Sequence, residues 1–198
     1  MGPLRVGFFY GVIAVVVALA SDLRFLFLDP QALPDWILAA LEEFRTQLTL
    51  TAILFLGILA AIRTQPTREE PGVPYRSLLL RDCVLAATVV AVMAGFALFV
   101  ATALNATVFA DEVRAYAREA TPSIVAYNEK VASRLENPPP LPPASEVEEG
   151  LQPPVLRDLG RSMANLVLRA LLLGIAGAVV ALIRGRVGPP GDPKPREG

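Results

Sequence analysis

The sequence predicts an all-α integral membrane protein with four transmembrane helices and a helical extracytoplasmic loop between the third and fourth. Three observations carry that expectation. The chain has 198 residues, of which 54% are apolar. Residues 83–110 hold no ionisable side chain beyond the opening thiol of Cys83, and they outrun the roughly 20 apolar residues that a bilayer core requires. A core helix of so small a soluble domain would have to bury every face, which such a domain cannot do. Basic residues, finally, alternate in density between successive connecting segments.

The first predicted span is 6–28. Arg5, an apolar run and Val17-Ala18-Leu19-Ala20 before Ser21 also match the order of a secretory signal, and cleavage there is the alternative. Leu23 and Phe25 to Leu28 extend the apolar character past the candidate cleavage point. Gly7 and Gly11 form a small-xxx-small pair suited to helix contact in lipid. Residues 29–47 are expected to be an outer loop with an amphipathic helix. Pro34 stands at a first helical position, and Leu33, Trp36, Ile37, Ala40, Leu41 and Phe44 share one face. That helix either lies in the interface or forms the outer turns of the second span. The span itself, 48–62, is 15 residues long, and at ~1.5 Å per residue it falls short of a ~30 Å core by itself.

A basic cytoplasmic loop, 63–82, carries Arg63, Arg68, Arg76 and Arg81. The third span, 83–110, presents Ala87, Ala91 and Gly95 at contact spacing. Its helix is expected to run on into water through 111–120, and Thr121-Pro122 is expected to start a new amphipathic helix to about Leu135, striped with Ile124, Tyr127 and Val131. The stretch 136–154, ENPPPLPPASEVEEGLQPP, reads as an extended acidic spacer within the extracytoplasmic segment 111–162. The fourth span is 163–183, with Ala170, Gly174 and Ala178 at contact spacing, and 184–198 is expected to be a disordered cytoplasmic tail.

Orientation follows from the basic residues. With the N-terminus (1–5) inside, the cytoplasmic segments hold nine Lys or Arg in 40 residues and the external ones eight in 79. That bias places both termini in the cytoplasm. Sixteen of the 18 basic residues are Arg, a composition typical of GC-rich bacterial genomes, so the expected site is the bacterial inner membrane.

Chemistry is sparse. Without His the chain lacks the commonest metal ligand and the usual base near neutral pH, and one Cys forms no internal disulfide. No catalytic, cofactor or metal residue is expected, and nothing suggests nucleic acid. The candidate functional or packing residues are four. Arg169 sits near the outer end of the fourth span, where it either snorkels to the headgroups or faces the bundle; in the second case Glu42 or Glu43 is its expected carboxylate partner. Asn105, with Thr102, is polar within the third span and able to bond across helices. Asp22 and Arg24 read as interfacial charges.

The short first loop, the long acidic loop before the last span, and LLLGIAGAVVALIRGR running into a polar tail resemble a bacterial family of small four-span membrane proteins of unknown function. The resemblance implies the fold and no site residues. The expected role is that of a non-enzymatic accessory, assembly or scaffolding subunit acting through its extracytoplasmic loop and helix faces. Its partners would be the lipid bilayer and a membrane-protein partner or further copies of itself. The alternative is a small-solute or ion transporter or channel component using Arg169 and the outer-leaflet polar residues.

Overall fold

The computed structural model describes residues 2–65, 73–138, 140–155 and 158–187. Arg68 and the rest of 66–72, Pro139 in the proline run, and the tail from 188 onward lie outside the described residues. Among the described residues all regular structure is helical. Six α-helices follow in chain order: α1 (Pro3–Asp22), α2 (Asp35–Arg63), α3 (Tyr75–Thr107), α4 (Ala110–Ala132), α5 (Ala144–Leu151) and α6 (Asp158–Val187), with a single 3-10 turn, Arg24–Leu26, after α1. Four of them, α1, α2, α3 and α6, are long and apolar enough to cross a membrane.

Several boundaries differ from expectation. Helix α1 stops at Asp22 and does not continue to 28, because the 3-10 turn follows directly. The amphipathic stretch and the second span are one helix, α2, which starts where Ile37 and Leu38 donate to the Pro34 carbonyl. Helix α3 begins at Tyr75, eight residues inside the predicted basic loop, and breaks at residues 108–109 where a continuous helix was expected. Pro122 opens no new helix but lies inside α4. The ring removes one backbone donor, and the Thr121 hydroxyl bonds back to the Ala117 carbonyl at 2.7 Å within the same helix. The proline-rich stretch is not all spacer: Ala144–Leu151 folds as α5, with the Val147 and Leu151 side chains packed inward.

The chain divides into two compact units, the first being Met1–Val16, Thr51–Phe96 and Ala164–Gly198, the second Val17–Leu50 and Ala97–Met163. In the first unit the helices meet through small residues. A methyl group at Gly7 of α1 would lie 2.9 Å from the Ala86 carbonyl of α3, and one at Gly177 of α6 would lie 2.7 Å from the Cys83 carbonyl, so at both points backbone packs on helix with no room for a side chain. Ala87, beside Gly177, and Ala91 are both buried, as their spacing predicted. Ala61 of α2, Leu79 and Cys83 of α3 and Ala181 of α6 form one core cluster. Arg184 closes it by donating to the carbonyls of Ala61 at 2.9 Å and Thr64 at 2.7 Å, which caps the end of α2. The outward faces are apolar: Phe8, Phe9 and Val16 of α1 and Leu171, Ile175 and Leu182 of α6 are each at least 60% exposed, with Leu168, Val179 and Ile183 beside them.

The second unit has its own core. Leu38 and Ala39 of α2 pack against Tyr116, Ala120 and Ile124 of α4, with Phe25, Leu28, Leu33, Tyr127 and the two α5 side chains around them.

Candidate functional site

The second unit buries a charged cluster. At the end of α1 the chain turns through Arg24–Leu26, and Gln31 then donates its backbone N–H to Asp29 Oδ1 at 2.9 Å. This local turn chemistry brings Arg24 against α2. On α2, Leu38, Glu42, Arg45 and Thr49 follow at spacings of four, three and four residues and so share one face. Helix α4 supplies Tyr116, which is 5% exposed.

Three donors converge on the Glu42 carboxylate. Arg24 Nε donates to Oε1 at 2.5 Å and Arg24 Nη2 to Oε2, a bidentate pair, while the Tyr116 hydroxyl donates to Oε1 at 2.7 Å. The Arg24 guanidinium also sits 5.4 Å from the Tyr116 ring centroid, within cation–π range. The Arg24 and Glu42 side chains are 12% and 7% exposed. Burial alone would lower the Arg24 pKa, but the hydrogen bond and charge of Glu42 outweigh it, so the pKa is raised. For Tyr116, burial first, then the charge and hydrogen bond of Glu42, push the phenol well above its ordinary value. Arginine and phenol are therefore held as cation and neutral donor.

Beside the cluster lies a cavity of about 210 Å³. Its polar lining is Asp22, Arg24, Arg45, Thr102, Asn105 and Gln152; Phe25, Val113 and Leu151 supply apolar wall. Asn105 Nδ2 donates to the Asp22 carbonyl at 3.2 Å, which fixes the amide orientation, since a carbonyl accepts only from the nitrogen side. Asn105 Oδ1 is left buried without a hydrogen-bond partner among the described residues. Arg45 is half-buried, and its guanidinium makes no hydrogen bond or ion pair among the described residues; its surroundings are the charges of Arg24, Glu42 and Asp22. Thr102 bonds within its own helix, to the Leu98 carbonyl at 2.8 Å, and Thr49 donates to the Ser21 hydroxyl at 2.7 Å.

Of the four sequence candidates, Glu42 and Asn105 belong to this region. Glu43 is exposed, and Arg169 is half-buried in the first unit. Glu42 engages Arg24 and Tyr116. Arg24, expected as an interfacial charge, follows the end of α1 and is ion-paired with Glu42 of α2. Sequence reasoning passed over Tyr116 and Arg45. The Leu38, Glu42, Arg45, Thr49 spacing held the signal for Arg45, but the adjoining face of α2 is the more apolar one. For Tyr116 the chain offers no local signal, because it stands 74 residues from its carboxylate.

Fold and site together define an all-helical protein with four helices of membrane-crossing length and a buried, ion-paired polar cluster. No protein-family model matches the chain, and no curated protein or solved structure is significantly similar to it.

Proposed function

We propose that the chain is a multi-pass protein of the bacterial cell membrane with both termini cytoplasmic. In this reading it serves, without catalysis, as an accessory, assembly or scaffolding subunit of the kind that the four-span resemblance implies. The observation that carries the reading is the inverted polarity of the helices. Large apolar side chains of α1 and α6 are exposed, whereas α2 turns Glu42 and Arg45 inward, which suits a lipid-facing exterior and does not suit water. The second unit then offers the association surface. Its α4 is held by Tyr116, Ala120 and Ile124 and leaves Arg114, Arg118 and Glu119 exposed, a rigid charged face for a neighbouring membrane protein or a second copy.

Two measurements test this. Single cysteines introduced at positions 2 and 128 into a Cys83→Ala background should react with an impermeant maleimide from opposite sides of the membrane. The native mass in mild detergent should exceed that of a monomer, with a stoichiometric second chain or further copies, and Arg118→Glu with Glu119→Arg should dissociate the complex. A monomer insensitive to those changes, whose vesicles carry flux that Arg169→Gln abolishes, would overturn the reading in favour of transport. The polar cavity is the observation that favours that second reading.

A further inference from the structure

Between the start of α2 and the end of α4 the second unit has a further open space, a groove of about 600 Å³. Asp35 and Trp36, in the first turn of α2, line one side, and Tyr127, Lys130, Val131 and Arg134 line the other. The last four are spaced as one helical face, and the Arg134 N–H donates to the Val131 carbonyl at 3.1 Å, so the turn after α4 keeps Arg134 on that face. Glu129 does not line the groove. The lining offers donors without acceptors. Lys130 and Arg134 are exposed, and neither forms an ion pair among the described residues. The Trp36 indole N–H and the Tyr127 hydroxyl make no hydrogen bond among them either. Two cations and one carboxylate leave the lining at a net charge of +1. A cation in the last turn of α4 suits the helix end, which accounts for Lys130. It does not account for Arg134 beyond that turn, nor for an indole that is 59% exposed beside it.

The depth of the groove points to the source of the missing acceptor. Arg63 stands 27 residues beyond Trp36 in the same helix, which at ~1.5 Å per residue is ~40 Å, close to the ~40–45 Å thickness of a bilayer with its headgroups. With Arg63 among the inner headgroups, Trp36 reaches the outer ones, the level tryptophan favours. This step rests on the membrane reading above. We propose that the groove docks an acidic phospholipid of the outer leaflet, its phosphodiester held by Lys130 and Arg134 and its glycerol backbone against Trp36 and Val131. The arginine fork and the lysine point charge are both phosphate ligands. A headgroup of charge −1 neutralises the lining, whereas a zwitterionic one leaves the excess cation unmatched. A space of about 600 Å³ equals roughly 20 water molecules at ~30 Å³ each, more than a phosphate group alone fills, so the whole headgroup enters.

The test uses the full chain in phosphatidylcholine nanodiscs, with the one tryptophan of the sequence, Trp36, as reporter. The guest lipid, brominated at the head of its acyl chains so that it quenches a neighbouring indole, is phosphatidylglycerol or, at the same mole fraction, phosphatidylcholine. Stronger, saturable quenching by phosphatidylglycerol is the expected result. Lys130→Gln with Arg134→Gln, at exposed positions where the fold is not at stake, should weaken the apparent affinity for phosphatidylglycerol about tenfold or more and leave quenching by phosphatidylcholine unchanged. Asp35→Asn removes the carboxylate of the lining and should strengthen the preference. Glycerophosphoglycerol, the same headgroup without acyl chains, should not displace the brominated lipid. Equal quenching by the two lipids, a preference that survives the paired change, or one lowered by Asp35→Asn overturns the proposal while Trp36 still reports from the bilayer, so the membrane reading stands. Displacement by glycerophosphoglycerol overturns it in favour of a free solute. Absence of quenching by either lipid overturns it by placing Trp36 beyond the bilayer. Maleimide labelling and native mass judge the membrane and accessory readings independently of every one of these outcomes.

Discussion

Glu42→Gln is the sharpest test of the second unit's architecture. The carboxylate accepts three hydrogen bonds, two from Arg24 and one from Tyr116, and both charged side chains are nearly sealed from solvent. The amide keeps one oxygen, so no more than two of the three bonds survive, and its NH2 group meets an Arg24 nitrogen that can only donate. Removing one partner of a buried pair typically costs about 3–5 kcal/mol. Asp22 and the Tyr116 ring still face the guanidinium, which favours the lower end, about 3 kcal/mol. For a domain of 150–250 residues, where 1 kcal/mol moves Tm by about 2–4 °C, the midpoint should fall by about 6–12 °C. The assay is thermal melting in mild detergent followed by near-ultraviolet circular dichroism, run as a double-mutant cycle with Arg24→Met. The double variant should recover at least about 2 kcal/mol of the summed losses, since it leaves no orphaned charge. A Glu42→Gln midpoint within about 1 °C of the parent, or strictly additive losses, would refute the account of Glu42 as the centre of the cluster.

Three further outcomes follow from the same packing. Gly177→Ala should destabilise the chain by about 1–3 kcal/mol because its methyl meets the Cys83 backbone, whereas Gly174→Ala, whose nearest neighbour is the Thr88 hydroxyl at 3.4 Å, should stay within about 0.5 kcal/mol; unfolding of the purified variants compares them. Arg184→Met should release the carbonyls of Ala61 and Thr64, costing about 1.5–3 kcal/mol for a charged donor, and amide exchange should quicken over the last turn of α2. Tyr116 has a folded pKa above its unfolded value of about 10, so its contribution is complete below that pH and is lost as pH rises through the folded value. The stability gap between the parent and Tyr116→Phe, measured by denaturation between pH 7 and 11, should hold constant to about pH 10 and narrow above it.

The four membrane-length helices were legible because length and apolarity are local properties. Residues 83–110 announce a membrane-length helix by themselves, and Gly7, Ala87 and Ala91 lie at helix contacts as their spacing predicts. Helix ends were less legible. Pro122 looked like a start because Thr-Pro commonly is one, yet Tyr116, Ala120 and Ile124 on either side of it pack on one surface, and that packing carries α4 through the proline. Similarly, ASEVEEGL is short and acidic, and it folds because Val147 and Leu151, one turn apart, reach the same cluster.

The polar site was hidden for a different reason. In α2 the face singled out by its apolar residues contains Trp36 and Phe44, which are 59% and 48% exposed, while Leu38, Ala39 and Thr49 are buried and Glu42 and Arg45 beside them are half-buried. Hydrophobic periodicity finds an apolar stripe but does not say which side of the helix meets protein. In water the stripe would turn inward, and in lipid the polar residues do, since only protein partners satisfy them there. Glu42 and Arg45 were thus signals of an interior, and the partners of Glu42, Arg24 and Tyr116, lie 18 and 74 residues from it along the chain. Single-sequence spacing rules span one or two helical turns, so they could mark Glu42 as a residue in need of a partner without naming the partner. The fold supplies it.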